Sequence, residues 1–417
     1  MRIESTTNLS RWYRPMRARD PEQPYRTSTN LELLFDLCFV VAVAVAAGEL
    51  HHAIAEGHAG EMLIGYVQVF FAIWWAWMNF TWFASGYDTD DVPYRLTTVV
   101  QIAGVLILAA GLPRVFATGD FSVVVVGYVI MRFAMVAQWL RAAAADPARR
   151  ATARRYALGI TLCQIGWVVR LLLPGDSGNL SFLVLALAEL VVPLWAERAA
   201  LAPWHPEHVS ERHGLFTLIV IGESVLAATT AVQGALDTRV ARSVVITTAA
   251  CSLVVVVGLW WLYFDQPVQA ARVSKRRSYL WGYGHLPIFA AAAAVGAGLQ
   301  AVIDTATGTA HISTAAAGLG LAVPLAIYLL GVWGLHLTPG WANPVQLLAS
   351  PLTAVLILAS TLTPWPLPLI ALLMAARVVV EIVAPHDAAR EEEALPRSAA
   401  VTSPTEAGGI IILDEQP

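Results

Sequence analysis

Leu31 to Val45 reads LELLFDLCFVVAVAV, and Gly214 to Ala228 reads GLFTLIVIGESVLAA. Both runs are apolar enough to begin a membrane span, and each carries an acid within it, Asp36 in the first and Glu223 in the second. An ionisable side chain inside a span costs about 2.5–3.5 kcal/mol on insertion scales, so it turns toward protein or a water-filled cavity. The two acids are also about half a chain apart, which points to a duplication.

The rest of the chain has the same character. Hydrophobic residues make up 57% and charged residues 13%, against about 25% charged in soluble domains. The chain therefore reads as all-α, a polytopic helical membrane protein. A span needs about 20 apolar residues. Twelve runs fit: Leu31–Leu50, Met62–Ala84, Thr97–Leu112, Phe121–Leu140, Tyr156–Leu173, Ser181–Ala196, Gly214–Val232, Ser243–Phe264, Leu280–Val302, Ser313–Leu335, Val345–Leu362 and Pro366–Ala384. Thr29 and Glu32 have the spacing of a capping box that opens the first helix. Cys38, Cys163 and Cys251 lie in apolar runs, where buried free thiols are expected.

Positive charge sets the orientation. One set of loops holds Arg2, Arg11, Arg14, Arg17, Arg19 and Arg26, then Arg95, Arg141, Arg149, Arg150, Arg154 and Arg155. Arg198, Arg212, Arg272, Lys275, Arg276, Arg277, Arg390 and Arg397 follow on that side. The opposite loops hold Arg114, Arg239 and Arg242. Both termini are expected in the cytoplasm, with the protein in the inner membrane. No cleavable signal is expected in the polar first thirty residues. The segments are 1–30, a cytoplasmic lead; 31–200 and 201–386, two six-span repeats; and 387–417, a polar tail with the composition of a disordered segment.

Four pairs of landmarks support the repeat: Asp36 with Glu223, Trp74-Trp75 with Trp260-Trp261, Tyr94 with Tyr279, and Gly111-Leu112 with Gly298-Leu299, each about 186 residues apart. Six spans per half give the halves one orientation. Duplicated transporters place their site at the interface of the repeats.

Several blocks also resemble a known family: Glu32-Leu-Leu-Phe-Asp36-Leu, Trp82-Phe-Ala-Ser-Gly-Tyr-Asp-Thr-Asp-Asp91, Pro203-Trp-His-Pro206, Glu211-Arg-His-Gly-Leu-Phe-Thr-Leu-Ile-Val-Ile-Gly-Glu-Ser224 and Leu280-Trp-Gly-Tyr-Gly-His285. Together they resemble the bacterial low-temperature-requirement protein A family, named for a growth phenotype in the cold. The resemblance implies a polytopic architecture. It brings no catalytic residues to carry over.

Six polar residues are the candidate substrate- or ion-binding groups: Asp36, Gln101, Arg132, Glu189, Glu223 and His285. All could meet in one central polar layer. Three deep acids (Asp36, Glu189, Glu223) face one deep cation, Arg132. Arg170 can snorkel, and Arg377 has Glu381 one turn on. Full ionisation would leave uncompensated negative charge in low dielectric. A protonated acid or a bound cation would resolve it, which is the chemistry of a proton- or cation-coupled transporter. The alternative for Glu189 or Glu223 is a structural clamp on Arg132.

Other clusters read as structural. The Asp88–Asp91 loop fits a solvated turn with an acid near a helix start. His51, His52 and His58 with Glu49, Glu56 and Glu61 lack convergent metal-ligand spacing. Pro203–Pro206 fits an interfacial loop, and the Trp-rich second and eighth spans fit packing. No cofactor or metal is expected. The basic stretch Arg141–Arg155 fits topology and anionic lipid rather than nucleic acid. The partners expected are the bilayer and a small solute or ion. A secondary transporter is the leading reading. An intramembrane enzyme using His285 with the Asp88–Asp91 loop on lipid-linked substrates, or a non-catalytic membrane protein, are the alternatives.

Overall fold

The computed structural model describes residues 12–20, 23, 26–173, 178–236, 241–265, 275–336 and 344–384. The polar tail expected at 387–417 lies outside them. The described residues form α-helices and no strands. The helices are α1 (Asn30–Ala55), α2 (Ala59–Tyr87), α3 (Val92–Thr118), α4 (Ser122–Ala145), α5 (Arg150–Arg170), α6 (Gly178–Ala196), α7 (Pro206–Leu236), α8 (Arg242–Phe264), α9 (Lys275–Thr307), α10 (Thr314–His336), α11 (Pro344–Ser360) and α12 (Pro366–Val383). Ten are long and apolar enough to cross a membrane. The other two are α5, with its basic first turns, and α11, with 17 residues.

Most helices run past the apolar run that marks them. The seventh run starts at Gly214 but α7 starts at Pro206, and the ninth starts at Leu280 but α9 starts at Lys275. Hydropathy stops at the first charge, whereas the helix continues wherever protein covers that charge. The first helix opens as expected: Thr29 Oγ1 accepts from the Glu32 N–H, and the Glu32 carboxylate accepts from the Thr29 N–H at 2.8 Å.

α2 and α9 form the middle, with 72% and 78% of their apolar windows buried, against 33–56% for the other spans. α1 packs on α2, α3, α7 and α9. The outer helices expose Leu, Val and Ile freely, as a surface solvated by lipid would. The end of the bundle holding Asn30 is called the proximal end here. It carries the N-termini of odd-numbered helices and the C-termini of even-numbered ones. The opposite end is distal.

The tightest helix pairs are built on glycine. A Cβ on Gly127 of α4 would lie 2.5 Å from Gly104 O and from Leu108 N of α3. A Cβ on Gly298 of α9 would lie 2.4 Å from Gly320 O of α10. Backbones touch there as in small-residue membrane packing. Gly127→Leu is expected to force α3 from α4 and cost at least the ~1–3 kcal/mol of an overpacked core. Gly60→Ala, whose Cβ meets nothing within 4 Å, should leave the melting temperature in detergent unchanged. Equal melting of the two variants would refute the close crossing.

Candidate functional site

Asp36 sits on the second turn of α1, one turn after Glu32, so both acids share a face. Two neighbouring carboxylates repel each other unless a cation lies between them. Arg212, on the second turn of α7, supplies it. Its Nε donates to Asp36 Oδ2 at 2.8 Å, its second amino group donates to Asp36 Oδ1, and its third nitrogen lies 3.1 Å from Glu32 Oε1. Trp77 of α2 donates its indole N–H to Asp36 Oδ1 at 2.7 Å. His208, one turn before Arg212, approaches Glu32 at 3.2 Å. Glu32, Asp36, His208 and Arg212 are all fully buried.

The segment before α1 closes this end. The carbonyls at the C-terminus of α2 have no intrahelical donors. Arg26 donates to Ala84 O at 2.6 Å and to Ser85 O, and the Arg19 N–H donates to Gly86 O at 2.9 Å. A cation at a helix C-terminus also complements the dipole. His205 donates to Gln23 O at 2.8 Å, and its backbone N–H donates to Ser85 Oγ. The Pro203–Pro206 loop packs on protein, with Trp204 against Trp82 and Pro203 against Gly86. In the Asp88–Asp91 turn, Asp90 is solvated and Asp91 stands at a helix start as expected, while the Asp88 and Asp91 carboxylates are drawn in. Asp91 caps α3 through the Tyr94 N–H and accepts from the Arg14 N–H and from Arg141 at 2.7 Å. Asp88 pairs with Arg19 at 3.2 Å. Burial, with Glu32 nearby, pushes the Asp88 carboxyl above the usual carboxylate range, against the pull of Arg26 and Arg19. Asp90 takes a left-handed backbone, φ 47°, and pairs with Arg95.

Among the six candidates the structure joins Arg132 and Glu189 directly, at 2.6 Å. Glu189 of α6 also accepts from Trp75 (3.0 Å), Tyr128 (3.2 Å), Gln164 (3.1 Å) and Trp167 (3.3 Å). A carboxylate with five donors is a fixed strut of the first half. Glu189→Gln would turn an N–H₂ toward these donors and leave a buried cation, an expected loss of roughly 3–5 kcal/mol. Arg132→Met added to Glu189→Gln should restore much of the melting temperature. A double variant no more stable than the single one would show that the pair is not the clamp.

Gln101 is buried on α3, and its amide nitrogen has no acceptor among the described residues. His285 is buried on α9, donates from Nδ1 to Trp281 O, and meets the Tyr263 hydroxyl with Nε2 at 3.0 Å. Its ring lies 4.7 Å from that of His213.

Glu223 is half-buried on α7 and has no hydrogen bond or ion pair among the described residues. It does not face Arg132, which Glu189 holds. Its neighbour Gly222 is open, while Ser224 packs on Gly296 and donates to Ala292 O. The expected imbalance of three deep acids against one cation is thus corrected by Arg212, which the loop reading had placed outside. Asp36 has Arg212, Glu189 has Arg132, and Glu223 is left over.

At the distal end His51 of α1 meets Asp304 of α9 at 2.7 Å. Among the described residues no group of three or more His, Cys, Asp or Glu is arranged to hold a metal ion. The three cysteines are free, with only Cys163 fully buried. The expected Arg377–Glu381 pair forms at 2.6 Å.

The family model of the bacterial low temperature requirement A protein matches residues 27–384. An uncharacterized protein of Rhizobium meliloti (strain 1021) is 27% identical over 274 residues, 62% of this chain and 65% of that protein. The match thus spans slightly less than two thirds of that relative's length. No solved structure matches the chain. The chain belongs to the bacterial low temperature requirement A family.

Proposed function

We propose that this member of the bacterial low temperature requirement A family is a secondary transporter of the cytoplasmic membrane. Its two six-helix halves, α1–α6 and α7–α12, move against each other, and Glu223 carries the coupling proton or cation. The excess of arginine at the proximal end supports placing that end, with both termini, in the cytoplasm.

Neighbour order supports the two halves. In each, the first helix packs on the second and third, the third on the fourth, the fourth on the fifth and the fifth on the sixth. Gly111 and Gly298, equivalent by the 186-residue spacing, both make backbone-close contacts with the following helix. The halves also differ: α1 packs closely on α9, whereas α3 and α7 make at most marginal contact, and Trp74 is buried whereas Trp260 is exposed.

The observation that carries the reading is the place of Glu223. Ion pairs between the halves stand at both ends: Arg212 and His208 on Asp36 and Glu32 proximally, His51 on Asp304 distally. Glu223 lies between them on α7. Eleven residues at 100° each put it within about 20° of Arg212 and about 16 Å further along. It therefore occupies the flank of α7 that Arg212 turns toward α1. At the same distance beyond Asp36, α1 carries mostly small residues: Ala44, Val45, Ala46, Ala47 and Gly48. A mid-span acid with no partner, beside space, between two sets of breakable ion pairs is the arrangement a proton- or cation-coupled carrier needs.

The enzyme alternative has less support, because all three carboxylates of the Asp88–Asp91 loop are engaged by the chain's own cations. The test is reconstitution into sealed vesicles holding a pH-sensitive dye, with a panel of solutes added outside. Solute-dependent proton movement supports the transporter. Its absence across the panel, with correctly inserted protein, refutes the proton-coupled carrier.

A further inference from the structure

A narrow cavity lies near the proximal end, walled by α2, α4, α5, α6 and α9. Six of its lining residues are aromatic: Trp75, Trp82, Trp139, Tyr156, Tyr279 and Tyr283. These rings come from both halves of the chain, and most sit within about two turns of a proximal helix end. The rings meet at both steep and parallel angles: Tyr283 lies at 73° to Trp75 and 64° to Tyr279, while Trp82 runs parallel to Tyr279 with centroids 6.0 Å apart. Trp139 and Tyr156 stack at 4.1 Å. Trp82 and Trp139 bury their indole nitrogens without an acceptor among the described residues.

Behind the rings stands a carboxylate. Glu197, just past the end of α6, is 4% exposed. It accepts from the Tyr156 hydroxyl at 3.1 Å and interacts with Tyr279. Both tyrosines line the cavity. Their hydroxyls thus lean toward an acid; Tyr156 gives one ring face to Trp139 and Tyr279 one to Trp82, and the remaining ring surface lines the cavity.

We infer that this aromatic box is a binding site for a small alkylammonium cation. Ring faces attract a cation within about 6 Å of their centroids, most strongly where water is excluded. Tyr283, steep to both Trp75 and Tyr279, closes the box on a third side, so that rings surround a small cation. A negative charge one layer behind adds attraction without forming a tight ion pair. Size limits the ligand: the empty space with its mouth is about 350 Å³, and room for the centre of a water molecule is about 20 Å³. That suits a head group of the size of methylammonium. The site binds its cation whether or not the protein carries solutes, so its test reads binding and not flux.

The experiment is equilibrium dialysis of radiolabelled methylammonium against the purified full-length protein, with methanol as a neutral competitor of similar size and decanol as an acyl-chain competitor. Saturable binding, displaced by dimethylammonium and not by methanol or decanol, is expected. Trp82→Leu removes a wall without removing a hydrogen bond and should weaken binding at least about fivefold, while Trp82→Phe keeps a ring face and should stay within about threefold of wild type. Glu197→Gln should weaken binding by a similar factor to Trp82→Leu, and it carries the test alone if the leucine variant is not monodisperse. No saturable binding, displacement by methanol or decanol as readily as by dimethylammonium, or unchanged affinity in Glu197→Gln would each overturn the site.

Discussion

Arg212→Met is expected to remove most of the folded protein. The guanidinium is fully buried and bridges two fully buried acids, Glu32 and Asp36, on the first turns of α1. Removing one partner of a buried pair typically costs about 3–5 kcal/mol, because the other charge is left without compensation. Here two carboxylates lose it, with Arg26 3.9 Å from Glu32 and His208 at 3.2 Å as the remaining help. Whole-protein stability is commonly about 5–15 kcal/mol, so the loss is a large share of the total. Arg212→Lys keeps charge but cannot hold both acids in a planar fork, and should fall between. Asp36→Asn should cost less than Arg212→Met, since Glu32 still faces the guanidinium. Size-exclusion profiles and melting in detergent read all three. Wild-type melting in Arg212→Met would mean that this network does not hold the two halves together.

The membrane architecture was legible because it rests on composition and run length, which the bilayer dictates residue by residue. The capping box at Thr29 and Glu32 and the Arg377–Glu381 pair were legible for the same reason: both are local, fixed by helical spacing. Arg212 was not. It stands two residues before an apolar run, where a basic residue usually marks a loop, and hydropathy ends the span there. The signal available was the pair Glu32 and Asp36, two like charges on one helical face that require a cation from elsewhere. Sequence does not say which of many arginines answers.

Tryptophan gave a similar lesson. Trp75 and Trp77 read as packing, and they do pack, but each also donates its indole N–H to an acid, Glu189 and Asp36. Those bonds join residues far apart in the chain and have no local signature. The part of the chain before α1 carried least information: six arginines read as orientation only, whereas Arg19 and Arg26 hold the carbonyl end of α2. Reading Gln101 and His285 as members of one polar layer did not help to place His285, which takes its partners from nearby in the chain, Tyr263 and Trp281.

Glu223→Gln carries the largest functional effect. The side chain has no hydrogen bond or ion pair among the described residues, so the amide removes no contact. A substitution of this kind usually changes stability by less than about 0.5 kcal/mol, and the melting temperature should match wild type. Function should not survive, because glutamine keeps the volume and loses the titration. The pairing with Arg132→Met that a clamp would require has no basis here, since Arg132 is held by Glu189. The central measurement is therefore proton movement in sealed vesicles holding wild type or Glu223→Gln at equal inserted amounts, read with the solute that gives the strongest wild-type signal. The account predicts a folded variant whose solute-driven proton movement falls to the level of protein-free vesicles; movement at the wild-type rate in Glu223→Gln would contradict it.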